Sequence, residues 1–188
     1  MAKTQNPYKK YIKAIMNYHA DYKLAIERKE NDYYVCDGIS MLKIPAELYD
    51  KFFAESDEAF VQLADGEIIT YPSGSFEGER SNGYSFSSLY ANVLIKDYVQ
   101  ITGVVIDDIS AFDHKVKRKI RVAVIGDLLA GFNDEYIVAA REFAGVFLGT
   151  KSTAPIKWEN HVMGMLLMPI RVDTFSQDIE RIQKAKIF

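Results

Sequence analysis

An α+β fold, an antiparallel sheet with flanking helices, is what this sequence predicts. Three observations carry that reading. An amphipathic segment opened by proline lies near the start of the chain, at about residues 7–19. Strand-length apolar runs separated by polar turns occupy 22–44 and 98–172, on either side of a Gly- and Ser-rich stretch. The last strand of each set is an apolar run entered at glycine and closed by proline. At 188 residues the chain is long enough to bury one core without covalent staples. It is read as a single α+β domain over 1–188, with an irregular excursion at about 56–88.

Asn6-Pro7 supplies a helix N-cap followed by proline at the first helical position. From there Tyr8, Ile12, Ile15 and His19 recur at helical spacing on one face, and Lys9 and Lys13 share a neighbouring one. Segments 22–28, 32–37 and 39–44, broken at Lys29-Glu30-Asn31 and at Asp37-Gly38, predict an antiparallel meander. Pro45 opens a second short helix to about Ala54, with Leu48, Phe52 and Phe53 turned inward. The excursion is acidic over 56–70 and rich in Gly and Ser over 71–88, which predicts a long surface loop. Its glycines, Gly74, Gly78 and Gly83, lack the following Lys-Ser or Lys-Thr of a phosphate-cradling loop. Beyond it the sequence predicts a helical turn at 88–95, strands at 98–106 and 117–125, and a short helix at 127–132. Strands at 135–141, 154–158 and 162–172 follow, then a final helix at 176–186.

Hydrophobic residues make up 48% and charged residues 26%, a balance that excludes a disordered or fibrous chain. A lone cysteine, Cys36, leaves no internal disulfide framework and no multi-cysteine zinc site, so a cytoplasmic location is expected. No apolar run approaches the ~20 residues that span a bilayer, and no membrane association is expected. The net charge of −3 argues against a lysine-coated protein. That sum hides a division: residues 1–29 carry seven Lys/Arg against two acids, residues 30–80 three against twelve, and residues 81–188 thirteen against twelve.

The glycine-entered, proline-closed runs are Gly38-Ile39-Ser40-Met41-Leu42-Lys43-Ile44-Pro45 and Gly164-Met165-Leu166-Leu167-Met168-Pro169. They fit either a duplicated unit or the ordinary look of buried strands. With the following Ile170-Arg171-Val172, the second run resembles the closing strand of bacterial-type DNA sliding clamps. The resemblance covers 122–172 well and 22–53 loosely. It implies clamp-like units of a helix and a meander, helices facing DNA, and a peptide groove bordered by Met168, Pro169, Ile170 and Arg171. Met163, Met165 and Met168 also fit plain core packing. The chain is too short for a clamp subunit that supplies its share of a six-domain ring, and small chains of this appearance resemble phage and mobile-element proteins.

Lys115, Lys117, Arg118, Lys119 and Arg121 place five cations within seven positions. On a strand, Lys117, Lys119 and Arg121 line one face, suited to a run of phosphates. The competing reading is a solvated edge strand that lysines protect from aggregation. Lys9, Lys10 and Lys13 add a second basic element. Asp107, Asp108, Asp113 and Lys115 suggest a metal-dependent nuclease, but too few residues separate Asp107 from Asp113 for a change of strand. His19, His114 and His161 lie on unrelated elements, with His19 read as a helix-end histidine bonded to carbonyls and Cys36 as a small buried hydrophobe. No catalytic residue, metal or cofactor is therefore expected. The expected function is that of a non-enzymatic phage or mobile-element effector. It would bind DNA weakly and without sequence preference, and engage a host DNA-acting protein, with an anti-CRISPR inhibitor of a CRISPR nuclease as the first case. The alternatives are an oligomeric clamp-like replication accessory and the nuclease.

Overall fold

The structure, a computed structural model, describes residues 7–19, 22–51, 60–81, 83–94, 97–108, 118–125, 128–141, 146–149 and 154–170. In chain order the elements are α1 (Pro7–His19), β1 (Leu24–Lys29), β2 (Asp32–Cys36), β3 (Ser40–Pro45), α2 (Ala46–Tyr49), β4 (Ile68–Tyr71) and β5 (Glu79–Ser81). They continue with α3 (Phe86–Asn92), β6 (Asp97–Asp108), β7 (Arg118–Ile125), β8 (Leu128–Asn133), α4 (Asp134–Ala140), β9 (Phe147–Gly149), β10 (Ile156–Glu159) and β11 (Gly164–Leu167). The fold is α+β, and two compact units divide it: Met1–Val93 with Glu159–Leu166, and Leu94–Trp158 with Leu167–Phe188.

In the first unit the strand order is β5-β4-β1-β2-β3-β11. The predicted meander is present, and its turns follow from their residues. Lys29 pairs with Asp32 across a two-residue turn in which Glu30 takes a positive φ of 56°. At the next turn the Asp37 carboxylate accepts the backbone N–H groups of Ile39 (2.9 Å) and Ser40 (2.7 Å), with Gly38 left-handed at φ 87°. Leu24, Ile26, Val35, Leu42 and Ile44 are fully buried, and the Tyr33 and Tyr49 rings stack with centroids 3.8 Å apart.

The excursion is more ordered than its composition predicts. Ile68–Tyr71 pairs with β1 and Glu79–Ser81 extends the sheet as its edge. Ile68 and Ile69 are both buried although adjacent, so both strand faces are covered and the period-2 signal that announces a strand is missing. The helical turn expected at 88–95 is α3, starting two residues earlier. Ser85 caps it through its hydroxyl, which accepts from the Ser88 N–H.

The second unit orders its strands β10-β9-β6-β7-β8. Val104, Ile106, Ile120 and Val122 form its buried cluster, with Leu129 and Ile170 packed on it. β6 is bulged between Ile101 and Val105, where the Thr102 hydroxyl donates to the Val122 carbonyl (2.8 Å) and accepts from the Val104 N–H (3.1 Å). Two elements differ in type from the sequence reading. The helix expected at 127–132 is strand β8, paired with β7 along its length. The strand expected at 135–141 is helix α4: Asn133 caps it by accepting from the Glu135 N–H (3.0 Å), Asp134 and Glu135 occupy the first turn, and Tyr136, Ile137 and Ala140 bury one face. The short β9 lies outside every segment that the sequence predicts as a strand, and β11 stops before Met168, shorter than the run predicted over 162–172.

The two echoing segments are β3 and β11, each the third strand after a helix, in the runs α1-β1-β2-β3 and α4-β9-β10-β11. Within the first unit they lie side by side. The helix expected at 176–186 and the end of the one expected at 45–54 lie outside the described residues. Among the described residues no helix is long and apolar enough to cross a membrane.

Candidate nucleic-acid and partner surfaces

From Ile120 to Ile125 β7 is a central strand, paired with β6 on one edge and β8 on the other, while Arg118 and Lys119 at its start are registered against β6 alone. Its alternation matches the sequence reading: Ile120 and Val122 are buried, Lys119 is exposed and Arg121 is half-buried on the opposite face. The edge-protection reading therefore falls away only from Ile120 onwards and still applies at Lys119, which is registered against β6 alone among the described residues. The register sets Lys119 opposite Asp107 and Arg118 opposite Asp108. Arg121 is already engaged. Its Nε and Nη2 each stand 2.7 Å from Asp134 Oδ1, and its Nη1 reaches the Thr102 carbonyl at 3.4 Å. Lys115 and Lys117 lie outside the described residues, as does Asp113.

The second basic element is α1, in the first unit. Lys13 is exposed while Ile15 and His19 are buried, as the helical register predicts; Ile12 of the same stripe is half-buried, and Ala14, outside it, is buried as well. Lys9 and Lys10 lie on the same helix. Charge divides between the units as well, with ten Lys/Arg against fifteen Asp/Glu in the first and thirteen against eleven in the second. On the acidic unit Asp32 pairs with Lys43 (3.5 Å), Glu67 with Arg80 (2.6 Å) and Asp37 with its own turn, while Glu30, Glu47, Glu77 and Glu79 stay exposed.

Of the segment expected to border a peptide groove, Met168 is 44% exposed and Pro169 and Ile170 are half-buried. The Ile170 N–H donates to the Gly131 carbonyl of β8 at 2.8 Å, which ties the segment to that strand. Arg171 lies outside the described residues. Met163 and Met165 are core residues at 2% and 0% exposure. Asp107 and Asp108 end β6, and among the described residues no three His, Cys, Asp or Glu side chains converge as metal ligands. Burial pushes the Cys36 thiol up to about 11, so it is almost wholly protonated at neutral pH.

The Gly- and Ser-rich stretch serves structure. The Gly74 N–H donates to the His19 carbonyl (2.9 Å), and a Cβ at Gly78 would stand 2.8 Å from both Ile69 and Tyr71. Glu27, a buried carboxylate on β1 that the sequence reading passes over, accepts from the Ser85 hydroxyl (3.0 Å), the Ser87 N–H (2.7 Å) and the Ser87 hydroxyl (2.9 Å). It anchors the start of α3. Lys43 bridges Asp32 and Glu159 beside the Tyr90 ring; burial lowers its pKa, but the two carboxylates outweigh that and raise it.

No protein-family profile matches the chain, and no curated protein matches it in sequence. Among solved structures it is similar to a DnaN sliding clamp (DNA polymerase III subunit beta) from Bartonella birtlesii bound to griselimycin. That likeness has 13% sequence identity and a TM-score of 0.35, and covers 83% of this chain and 59% of the clamp chain. The chain thus spans less than two thirds of the length of that structure.

Proposed function

We propose that this protein acts by binding and not by chemistry. On this reading it is an effector of phage or mobile-element type that holds nucleic acid through the β6–β7 basic segment and presents its acidic unit to a DNA-acting protein complex. Inhibition of a CRISPR nuclease is the specific case. The observation that carries the nucleic-acid half is the exposure of Lys119 at the start of β7, on the face opposite buried Ile120 and Val122, where it continues the sequence run of Lys115, Lys117 and Arg118. The acidic unit supports the other half, since exposed Glu30, Glu77 and Glu79 suit a basic nucleic-acid channel.

The test is fluorescence anisotropy with a short labelled duplex across a salt series. Wild type is expected to bind with Kd of about 1–100 μM, as nonspecific contacts do. Lys117→Glu with Lys119→Glu should remove that binding and lower the logarithmic salt slope by nearly one for each phosphate no longer neutralised. Arg121 is left intact because Asp134 holds it. Equal binding by the variant at low salt would refute the nucleic-acid half. Affinity capture from a bacterial lysate then separates the partner readings, a CRISPR nuclease supporting the inhibitor and replication proteins a clamp-like accessory.

A further inference from the structure

We propose that His19 is a proton-operated latch, fastening the end of α1 to the 72–78 turn when its imidazole is doubly protonated. The residue ends α1 and is 1% exposed. Its Nδ1 lies 3.0 Å from the Tyr22 carbonyl oxygen and its Nε2 lies 3.0 Å from the Ser75 carbonyl oxygen, 56 residues further along the chain. Carbonyl oxygens only accept hydrogen bonds, and a neutral imidazole carries one N–H. In either neutral tautomer a ring lone pair faces a carbonyl lone pair across one of those contacts. The imidazolium alone donates to both.

The ring sits at the C-terminal end of α1, the negative end of the helix macrodipole. The ring is held edge-on by Phe76 (centroids 5.5 Å, 74°) and Tyr71 (6.5 Å, 78°), so it cannot swing one nitrogen to water without disturbing both. The backbone makes a parallel tie, the Gly74 N–H donating to the His19 carbonyl at 2.9 Å. The titratable groups on the neighbouring elements are Tyr71 on β4, Tyr22 and Lys23 after the helix, Glu77 in the turn, and Lys13 on α1. Tyr71 is kept neutral by burial and its hydroxyl accepts from the Val61 N–H, while Lys13, Lys23 and Glu77 are exposed. Among the described residues no carboxylate bonds to the ring, whose two nitrogens face the Tyr22 and Ser75 carbonyls. The latch is therefore closed in acid. It loses one of its two donors as the proton leaves, which loosens the turn that leads into exposed Glu77 and Glu79.

Nitrogen NMR of the uniformly labelled full chain at pH about 5.5 and about 8, on either side of the ordinary histidine range, tests this. At the lower pH both His19 ring nitrogens are expected to show protonated shifts. Protection of the Gly74 amide from hydrogen exchange, taken relative to the Ile26 amide, should fall roughly fivefold at the higher pH, the worth of one hydrogen bond. In His19→Gln that fall should vanish. A neutral single tautomer at pH about 5.5, a Gly74 protection independent of pH in wild type, or an equal fall in His19→Gln would each overturn the latch. The imidazole shifts of wild type decide the matter even where the variant does not fold.

Discussion

Arg121→Ala separates a structural arginine from a ligand-binding one. Arg121 and Asp134 side chains are 13% and 16% exposed, and the guanidinium places two nitrogens 2.7 Å from one carboxylate oxygen. Removing the arginine leaves Asp134 charged in a largely desolvated place. Breaking such a pair from one side costs about 3–5 kcal/mol. The first-turn position of Asp134 on α4 returns roughly 0.5 kcal/mol through the helix dipole, and residual solvent access keeps the cost at the lower end, giving about 2.5–3 kcal/mol. Arg121→Met with Asp134→Asn removes both charges and should cost under about 1 kcal/mol. Exposed Lys119→Ala should stay within about 0.5 kcal/mol of wild type. Urea unfolding followed by Trp158 fluorescence reads all three, since this lone tryptophan is 2% exposed and belongs to the same unit as Arg121. With a slope near 2 kcal/mol/M, Arg121→Ala should move the midpoint by about 1.3 M. A shift under about 0.3 M would refute the reasoning and return Arg121 to the phosphate-contacting set.

Leu167 and Met168 are neighbours with opposite expectations. Leu167→Asp puts an unpaired carboxylate at a site with 0% exposure and should cost about 4 kcal/mol or more, while Met168→Asp, at 44% exposure, should change the melting temperature by only a few degrees; equal effects would mean that β11 does not bury its last residue as described. For Cys36, the rise of the thiol from 9.0 to about 11 predicts native reaction with a disulfide reagent at pH about 8 that is roughly a hundredfold slower than in urea. Because the folded value is the higher one, the associated stability is present below the unfolded pKa and is lost as pH rises from there toward about 11. Native and unfolded rates within threefold of each other would contradict the desolvation of the thiol of this half-buried residue.

Elements whose signal is local are legible in the sequence. α1 shows its helical stripe, β1 to β3 are separated by turns whose chemistry is visible at Glu30-Asn31 and Asp37-Gly38, and the alternation of β7 sorts Lys119 and Arg121 from Ile120 and Val122. What is hidden depends on distant partners. β4 loses its alternation because both faces are covered. Glu27 looks like a solvent-facing residue of an alternating strand until Ser85 and Ser87, 58 and 60 residues later, return to fill its carboxylate. His19 is readable as a helix-end histidine bonded to carbonyls, but that both nitrogens meet carbonyls needs Ser75.

The exchange of type between β8 and α4 has a consequence for the candidate site as well as for the fold. Reading 135–141 as a strand makes Asp134 a turn acid with no neighbour to answer, so Arg121 falls in with Lys117 and Lys119 as a free cation. The signals for the helix were present, an Asn cap, two acids in the first turn and an apolar pattern at 136, 137 and 140, but Tyr136, Ile137 and Val138 are good strand formers and mask them. Once the helix starts at Asp134, directly after a strand that pairs with β7, its first carboxylate stands beside Arg121. A basic stripe on a strand therefore defines only a face. Which of its cations remain for a phosphate is decided by the element that follows the next strand, and here that element claims Arg121 and leaves Lys119 exposed.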